Sequence, residues 1–284
     1  MSYYNESFGQ AFKRGWMTMP VALRYIITIN VVVFAFQLAL GPEINRWLIT
    51  SFGFIPELEP LLTQPWRIVT YMFLHGSFLH ILFNMLWLWW MGRPVEDQLG
   101  PRNFLVLYFG AGIGGALINT LFAGVFGGNL TIGASGGVLG MMVCYAMLFP
   151  RTPIMLIFFP PIEARFVVAG LIAIDFLLIG ASDNVARVVH LGGAFTGFAL
   201  LKLYYRGYDY DAWLKNLGSL FSRKTKPKSK PKQNKNMRIV EDAEIIEEVD
   251  QSELDIILEK ISKKGYEGLS AEEKRKLFEL SKKR

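Results

Sequence analysis

Charge is what this sequence has least of, and its absence is concentrated. Only 19% of the 284 residues are charged, against about 25% in an ordinary soluble domain. Between Tyr25 and Tyr205 ionisable side chains are sparse, whereas Lys and Glu crowd the chain after Arg206. A single soluble domain spreads its charges over its whole surface, so one such domain is excluded. The distribution implies a bilayer-embedded part followed by an aqueous one. Cysteine is absent apart from Cys144, inside an apolar run, which rules out an intrachain disulfide. The helical zinc signature His-Glu-x-x-His is also missing, because His75 and His80 are five apart with no Glu between them. No metal and no cofactor is therefore expected. The net charge of +6 does not point to nucleic acid, since the excess Lys and Arg lie in a tail beyond the last apolar run, as in cytoplasmic flanks of membrane proteins.

What is present is a series of apolar runs. A spanning helix needs about 20 mostly apolar residues, and six candidates follow in order: Tyr25 to Leu40, Leu79 to Met91, Phe104 to Phe126, Ser135 to near Phe149, Phe166 to Gly180, and His190 to Tyr205. The first is short, but a long polar region precedes it and no small-x-small cleavage site follows, so a retained helix is expected rather than a signal peptide. Before it, Phe8, Phe12 and Trp16 recur every four residues beside Lys13 and Arg14, the pattern of a helix lying on the membrane surface. Gly41 to about Phe78 is too apolar for a solvated linker and too rich in proline for one helix, which predicts a structured loop embedded in the interface. Ile154 to Phe159, between two prolines, is too short to cross and is expected at the interface.

The expected fold is thus all-α: a polytopic bundle of six transmembrane helices, with a small C-terminal helical hairpin. Residues 1–24 form a cytosolic or interfacial segment, 25–206 the membrane domain, 207–250 a basic then acidic disordered linker, and 251–284 the hairpin. Lys13, Arg14, Arg24, Arg93, Arg102, Arg151, Arg165, Lys202 and Arg206 fall on one side, and only Arg46, Arg67 and Arg187 on the other. The positive-inside rule then places both termini in the cytoplasm of a cell whose inner membrane holds the protein. In the tail, Ser222 opens a Lys- and Pro-rich run that like charge keeps extended and that suits anionic lipid headgroups. Leu254, Ile257, Leu258 and Ile261 have helical spacing. Gly265 ends that helix, and Ser270 with Glu273 forms a capping box for a second carrying Leu277, Phe278 and Leu280. A hairpin this small is open to binding a partner protein or a second copy of itself.

Polar residues in a bilayer cost free energy and mark function. The second run opens with His75, His80 and Asn84, the fourth with Gly133-Ala134-Ser135-Gly136-Gly137, and the sixth with His190-Leu191-Gly192-Gly193. With a cytoplasmic N-terminus, these three spans all descend from the outer side, so Ser135, His190, His80 and Asn84 fall in one layer. Gly136 and Gly140 form a G-x-x-x-G on the fourth span, as do Gly193 and Gly197 on the sixth. That spacing lets two backbones approach closely in lipid and would bring Ser135 toward His190.

The combination of His75-x4-His80-x3-Asn84, Gly133-x-Ser135-Gly136 and His190-x-Gly-Gly-x3-Gly resembles the rhomboid intramembrane proteases. Trp66-Arg67 before the second span, and Glu96 with Gly100 after it, are similar to that family too, and the likeness covers roughly Met19 to Tyr205. It implies Ser135 as nucleophile and His190 as general base, with His80, Asn84 and the Ser135 backbone N–H as oxyanion donors. His75 is implied to be structural, and Arg67 to fix the first loop by hydrogen bonds. One departure stands out: many members carry Tyr four residues after the serine, packed against the base, where this chain has Leu139. The tail hairpin resembles C-terminal extensions of some bacterial rhomboids.

A serine hydroxyl becomes a nucleophile near neutral pH only when a neighbouring base takes its proton. No Asp adjoins His190 in sequence: Asp183 lies in the preceding loop, and Asp175 is expected in the middle of the fifth span at a different depth, as a structural polar contact or pocket residue. A Ser135–His190 dyad is the economical reading. It predicts endoproteolysis of single-span membrane proteins, whose helix unwinds locally to enter the bundle. The rival reading is a catalytically silent relative that binds transmembrane helices as a chaperone or sorting factor. A transporter would show internal repeats, and none is evident.

Overall fold

A computed structural model describes residues 8–155, 160–179, 186–208 and 210, and in the tail 257, 259–261, 268–270 and 272–274; at 8, 11 and 12 it describes the backbone alone. The chain divides into two units, Met1–Lys224 and Thr225–Arg284. The first is a helical bundle, and its helices follow the apolar runs.

Helix α1 (Phe8–Met17) precedes α2 (Val21–Ala39), which starts immediately after Pro20. Proline cannot donate, and the first amides of any helix lack intrahelical acceptors. Glu96, from a later helix, supplies them: its two carboxylate oxygens accept from the N–H of Ala22 at 2.8 Å and of Leu23 at 2.7 Å. A buried carboxylate on a helix N-terminus also meets the positive end of the helix dipole.

The expected embedded loop consists of short helices broken near its prolines: α3 (Gly41–Phe52), α4 (Leu58–Thr63), α5 (Arg67–Thr70) and a 3-10 turn, Tyr71–Phe73. The chain then bends by 97° into α6 (Phe78–Leu99). Ser77 caps α6 by accepting from the His80 N–H at 3.2 Å, so His75 lies in the bend and not at the head of the helix. Helix α6 continues through Pro94 past the expected end at Met91. Gly100, at φ +79°, turns the chain into α7 (Pro101–Phe126).

Helix α8 (Ser135–Leu148) is the centre of the bundle, buried without a break from Gly136 to Tyr145. Two short strands follow, β1 (Pro153–Ile154) and β2 (Ile162–Glu163), antiparallel with Ile154 opposite Ile162. They lead into α9 (Ala164–Leu177) and, last, α10 (Arg187–Tyr205). Of the stretch expected at the interface, Ile154 and Met155 are described and 156–159 lie outside the described residues.

Two described helices, α2 and α7, are long and apolar enough to cross a membrane, and the bent pair of α5 with α6 makes a third if taken as one span. The outer faces are those of a bundle solvated by hydrocarbon. Phe36, Phe83, Leu121, Val125, Phe166, Ile174 and Phe195 are all exposed, whereas soluble proteins seldom expose apolar patches of that extent.

The interior contacts depend on glycine. A Cβ on Gly193 would lie 2.7 Å from the Gly136 carbonyl carbon, and one on Gly197 would lie 2.7 Å from the Gly140 oxygen. The two small-residue pairs of α8 and α10 thus face each other backbone to backbone.

In the tail unit, the capping box is formed: Glu273 Oε2 accepts from the Ser270 N–H at 2.8 Å, and Ser270 Oγ accepts from the Glu273 N–H at 3.3 Å. Lys260 Nζ donates to Glu273 Oε1 at 2.5 Å. Of the residues expected to line the hairpin, Ile257 is buried, while Leu254, Leu258, Gly265, Leu277, Phe278 and Leu280 lie outside the described residues.

Two predictions follow from these contacts. Gly193→Ala should destabilise the folded chain in detergent by about 1–3 kcal/mol, the usual cost of overpacking. Gly170→Ala on α9, where a Cβ meets nothing within 4 Å, should leave stability unchanged or raise it by up to about 1 kcal/mol; thermal unfolding of both variants checks this. The Lys260 ammonium, with the Ser270 N–H, holds the Glu273 carboxyl down at about 2. Being lowered in the folded state, it contributes stability above the ordinary carboxylate range that is lost as pH falls toward about 2. The Glu273 carboxyl carbon signal should titrate at that low pH, and Lys260→Met should move it up.

Candidate active site

Ser135 is the first residue of α8, and the loop before it is fixed from two sides. Phe54 and Thr131 form an antiparallel bridge, with N–H to O distances of 2.9 and 2.8 Å. The Gly133 N–H donates to the Tyr71 carbonyl at 2.9 Å. Tyr71 is itself fully buried and donates its hydroxyl to the Gly112 carbonyl of α7 at 2.8 Å. Gly133 is at φ +128°, and a Cβ there would lie 2.7 Å from His80 Nε2. This is one position where only glycine fits on both counts.

His190 enters from the first turn of α10. Its Nε2 lies 2.6 Å from Ser135 Oγ. Its Nδ1 lies 2.9 Å from Asp175 Oδ2, which corrects the expectation that Asp175 stands at a different depth. The cause is the length of α9. That helix ends at Leu177 rather than running to Gly180, so Asp175 is in its last turn, at the end where α10 begins. Arg187, the first residue of α10, brings its Nε to 3.9 Å from Asp175 Oδ1. Asp183 lies outside the described residues.

His80 and Asn84 stand one turn apart on α6. The Asn84 side-chain amide donates to the His80 carbonyl at 2.8 Å, which engages one of its two N–H groups and leaves the other. The Gly76 N–H donates to His80 Nδ1 at 3.4 Å. An accepting Nδ1 places the ring proton on Nε2, the nitrogen facing the Gly133–Ser135 loop. His75 does not share in that loop. Its ring is buried edge-on between Phe34 and His80, at centroid distances of 6.5 and 5.0 Å. Its backbone is clamped by Gln37, which accepts from the His75 N–H at 3.0 Å and donates to the His75 carbonyl at 3.3 Å. Arg67 is buried in the first loop. It donates through Nε to Gln64 Oε1 and through a terminal nitrogen to the Gly53 carbonyl, both at 2.6 Å. Trp66 is half exposed and donates to the Ser51 carbonyl at 3.3 Å. Leu139 is buried one turn below Ser135, and Gly136 packs against Val189 of α10.

Sequence reasoning missed Tyr71, Gln37 and Arg187, and misplaced Asp175. For Tyr71 no local signal exists, because its partner is a distant backbone group; Gln37 did carry one, as an amide inside the first apolar run. Asp175 and Arg187 carried one too. An acid in the last turn of a helix and a base in the first turn of the next both oppose the helix dipole, and each requires a compensating partner.

Fold and site together define a helical membrane bundle with a serine–histidine hydrogen bond in its interior. The chain belongs to the rhomboid family: the model of the Rhomboid domain matches residues 62–207. A second match, to a family of unknown function (DUF6576), covers residues 248–283. Among relatives, the Rhomboid protease GlpG of Serratia proteamaculans (strain 568) is 31% identical over 180 residues, 62% of this chain and 59% of its own length. The Rhomboid protease GlpG of Yersinia pestis (strain Pestoides F) is 35% identical over 176 residues, 62% of this chain and 59% of its own. The chain thus spans about 59% of the length of these relatives.

The geometry of the loop yields a stability prediction. Gly133→Ala should lower stability by about 1–3 kcal/mol through backbone strain and by displacing His80. Gly76→Ala, where the nearest atom to a Cβ is 3.8 Å away, should cost less; chemical denaturation of both variants makes the comparison.

Proposed function

We propose that the chain is an intramembrane serine endopeptidase that hydrolyses peptide bonds in or near transmembrane segments of membrane proteins. The observation that carries this reading is the 2.6 Å contact between Ser135 Oγ and His190 Nε2. Further support comes from the family itself and from relatives named as rhomboid proteases.

In the proposed reaction, Ser135 Oγ attacks the carbonyl carbon while its proton passes to His190 Nε2. The carbonyl π electrons move to oxygen, and that oxyanion accepts from the free Asn84 N–H, from His80 Nε2–H and from the Ser135 backbone N–H. The amides of the first turn of α8 have no intrahelical acceptor to compete for them. A single such donor contributes about 2.7–4 kcal/mol in other serine proteases. His190 then gives its proton to the departing amine as the C–N bond breaks. Water attacks the acyl-serine, with His190 taking its proton and returning one to Ser135. Arg67 and Gly133 act at one remove, by holding the first loop and the approach to Ser135.

The bundle is read as six spans, α2, α6, α7, α8, α9 and α10, with both termini cytoplasmic in the inner cell membrane. Helix α8, at 14 residues, is about 21 Å long, short of a hydrocarbon core of about 30 Å. Starting below the surface, it would set Ser135 within the membrane yet within reach of water from outside. The substrates are single-span proteins whose helix weakens enough to present a carbonyl, since an intact helix keeps its carbonyls bonded. The tail after residue 206 is read as a linker and a hairpin that binds a partner protein or its own copy.

Ser135→Ala and His190→Ala, each purified and reconstituted with a membrane substrate, should each lower cleavage by at least about 10³-fold. Full cleavage by either variant contradicts the reading.

A further inference from the structure

The far side of the histidine is occupied by a group that the two-residue mechanism does not use. Asp175 and His190 are each only 18% exposed in their side chains. A carboxylate in apolar surroundings is costly unless paired, and at the C-terminal turn of α9 it also faces the negative end of the helix dipole. Arg187 has the mirror-image fault at the N-terminal turn of α10. Each offsets the other, at 3.9 Å, yet it is the other oxygen, Oδ2, that meets His190 Nδ1 at 2.9 Å. A simple ion pair has no need of the histidine, and Leu139 offers the imidazole no hydrogen bond of its own.

We propose that Asp175 is a positioning residue for His190, fixing the imidazole in the tautomer and orientation that lets it act on Ser135. An ionised carboxylate only accepts, so the proton on the ring must sit on Nδ1. Nε2 is then left with its lone pair toward Ser135 Oγ. When the serine proton arrives on Nε2, the Nδ1 proton stays where it is. The imidazolium so formed faces a negative charge, and Asp175 itself takes no proton. Arg187 Nε, 3.9 Å from Oδ1, sets a positive charge beside the carboxylate oxygen that the histidine does not use. The sequence therefore builds an Arg187–Asp175–His190–Ser135 chain across α9, α10 and α8.

This inference rests on the protease reading, and the experiment keeps the two apart. The full chain, reconstituted in lipid nanodiscs with ring-15N histidine, is compared with Asp175→Asn and Asp175→Glu. In the unsubstituted chain His190 should be the Nδ1–H tautomer, with a strongly downfield Nδ1 proton. Asparagine would donate to Nδ1 and drive the ring proton to Nε2, where it blocks the serine. Asp175→Asn should therefore lose the downfield signal and lower kcat by at least about 10²-fold with KM little changed. Asp175→Glu should recover part of both. Asp175→Asn cleaving within about threefold of the unsubstituted chain overturns the proposal. So does an Nε2–H tautomer of His190 in the unsubstituted chain, which needs no variant to fold. If the unsubstituted chain cleaves nothing, the protease reading fails, and the tautomer alone decides the role of Asp175.

Discussion

The contact between α8 and α10 is made largely of glycine backbone, with the side chains of Val189 and Cys144 entering it, and the placement of Ser135 beside His190 depends on that. Gly136 and Gly140 meet Gly193 and Gly197 backbone to backbone, with carbonyl groups of both helices in the seam. Ser135 stands one residue before Gly136 of α8, and His190 three residues before Gly193 of α10. The serine–histidine distance is therefore fixed by backbone packing, which has little freedom, and not by long side chains reaching across a gap. In lipid, helices gain nothing by hiding apolar surface from each other, so close van der Waals packing of this kind is what holds them. The cost is intolerance. A larger side chain at these glycines would push Ser135 and His190 apart.

Around that seam, several buried polar side chains close backbone groups that would otherwise lack partners. Glu96 satisfies the amides that Pro20 leaves open at the start of α2. Arg67 closes the carbonyl end of α3. Gln37 clamps the backbone of His75 in the bend before α6. These are long-range contacts between side chain and backbone, and each substitutes for water that a bilayer does not supply. Asp175 and Arg187 differ, because each is placed badly for its own helix. Local rules are broken in this way mainly where function needs it.

Much of this was legible in the sequence. Each of the six apolar runs overlaps one helix, α2 or α6 to α10, though α6 runs on to Leu99 from an expected end at Met91. Two of the described helices, or three with the bent pair taken as one span, are long and apolar enough to cross a membrane. The serine, the three histidines and Asn84 were marked by their cost in lipid. The glycine pairs named the two helices that touch. What could not be read was depth. Placing the end of the fifth run at Gly180 made Asp175 a mid-span residue, whereas α9 stops at Leu177 and the acid reaches the histidine. Helix ends in an apolar run have no periodic signal, so the error follows from the composition itself. The opposed charges at 175 and 187 were the better guide. The embedded loop was legible only in outline, since α3, α4 and α5 are short and held by tertiary contacts.

The central claim is that folding makes Ser135 a nucleophile by packing it against His190. Reaction of the folded chain in lipid with a fluorophosphonate probe, mapped by peptide mass, tests it most directly. The account predicts modification at Ser135 and at no other serine, abolished when the chain is unfolded before the probe is added. Absence of labelling in the folded chain, or equal labelling after unfolding, would contradict it.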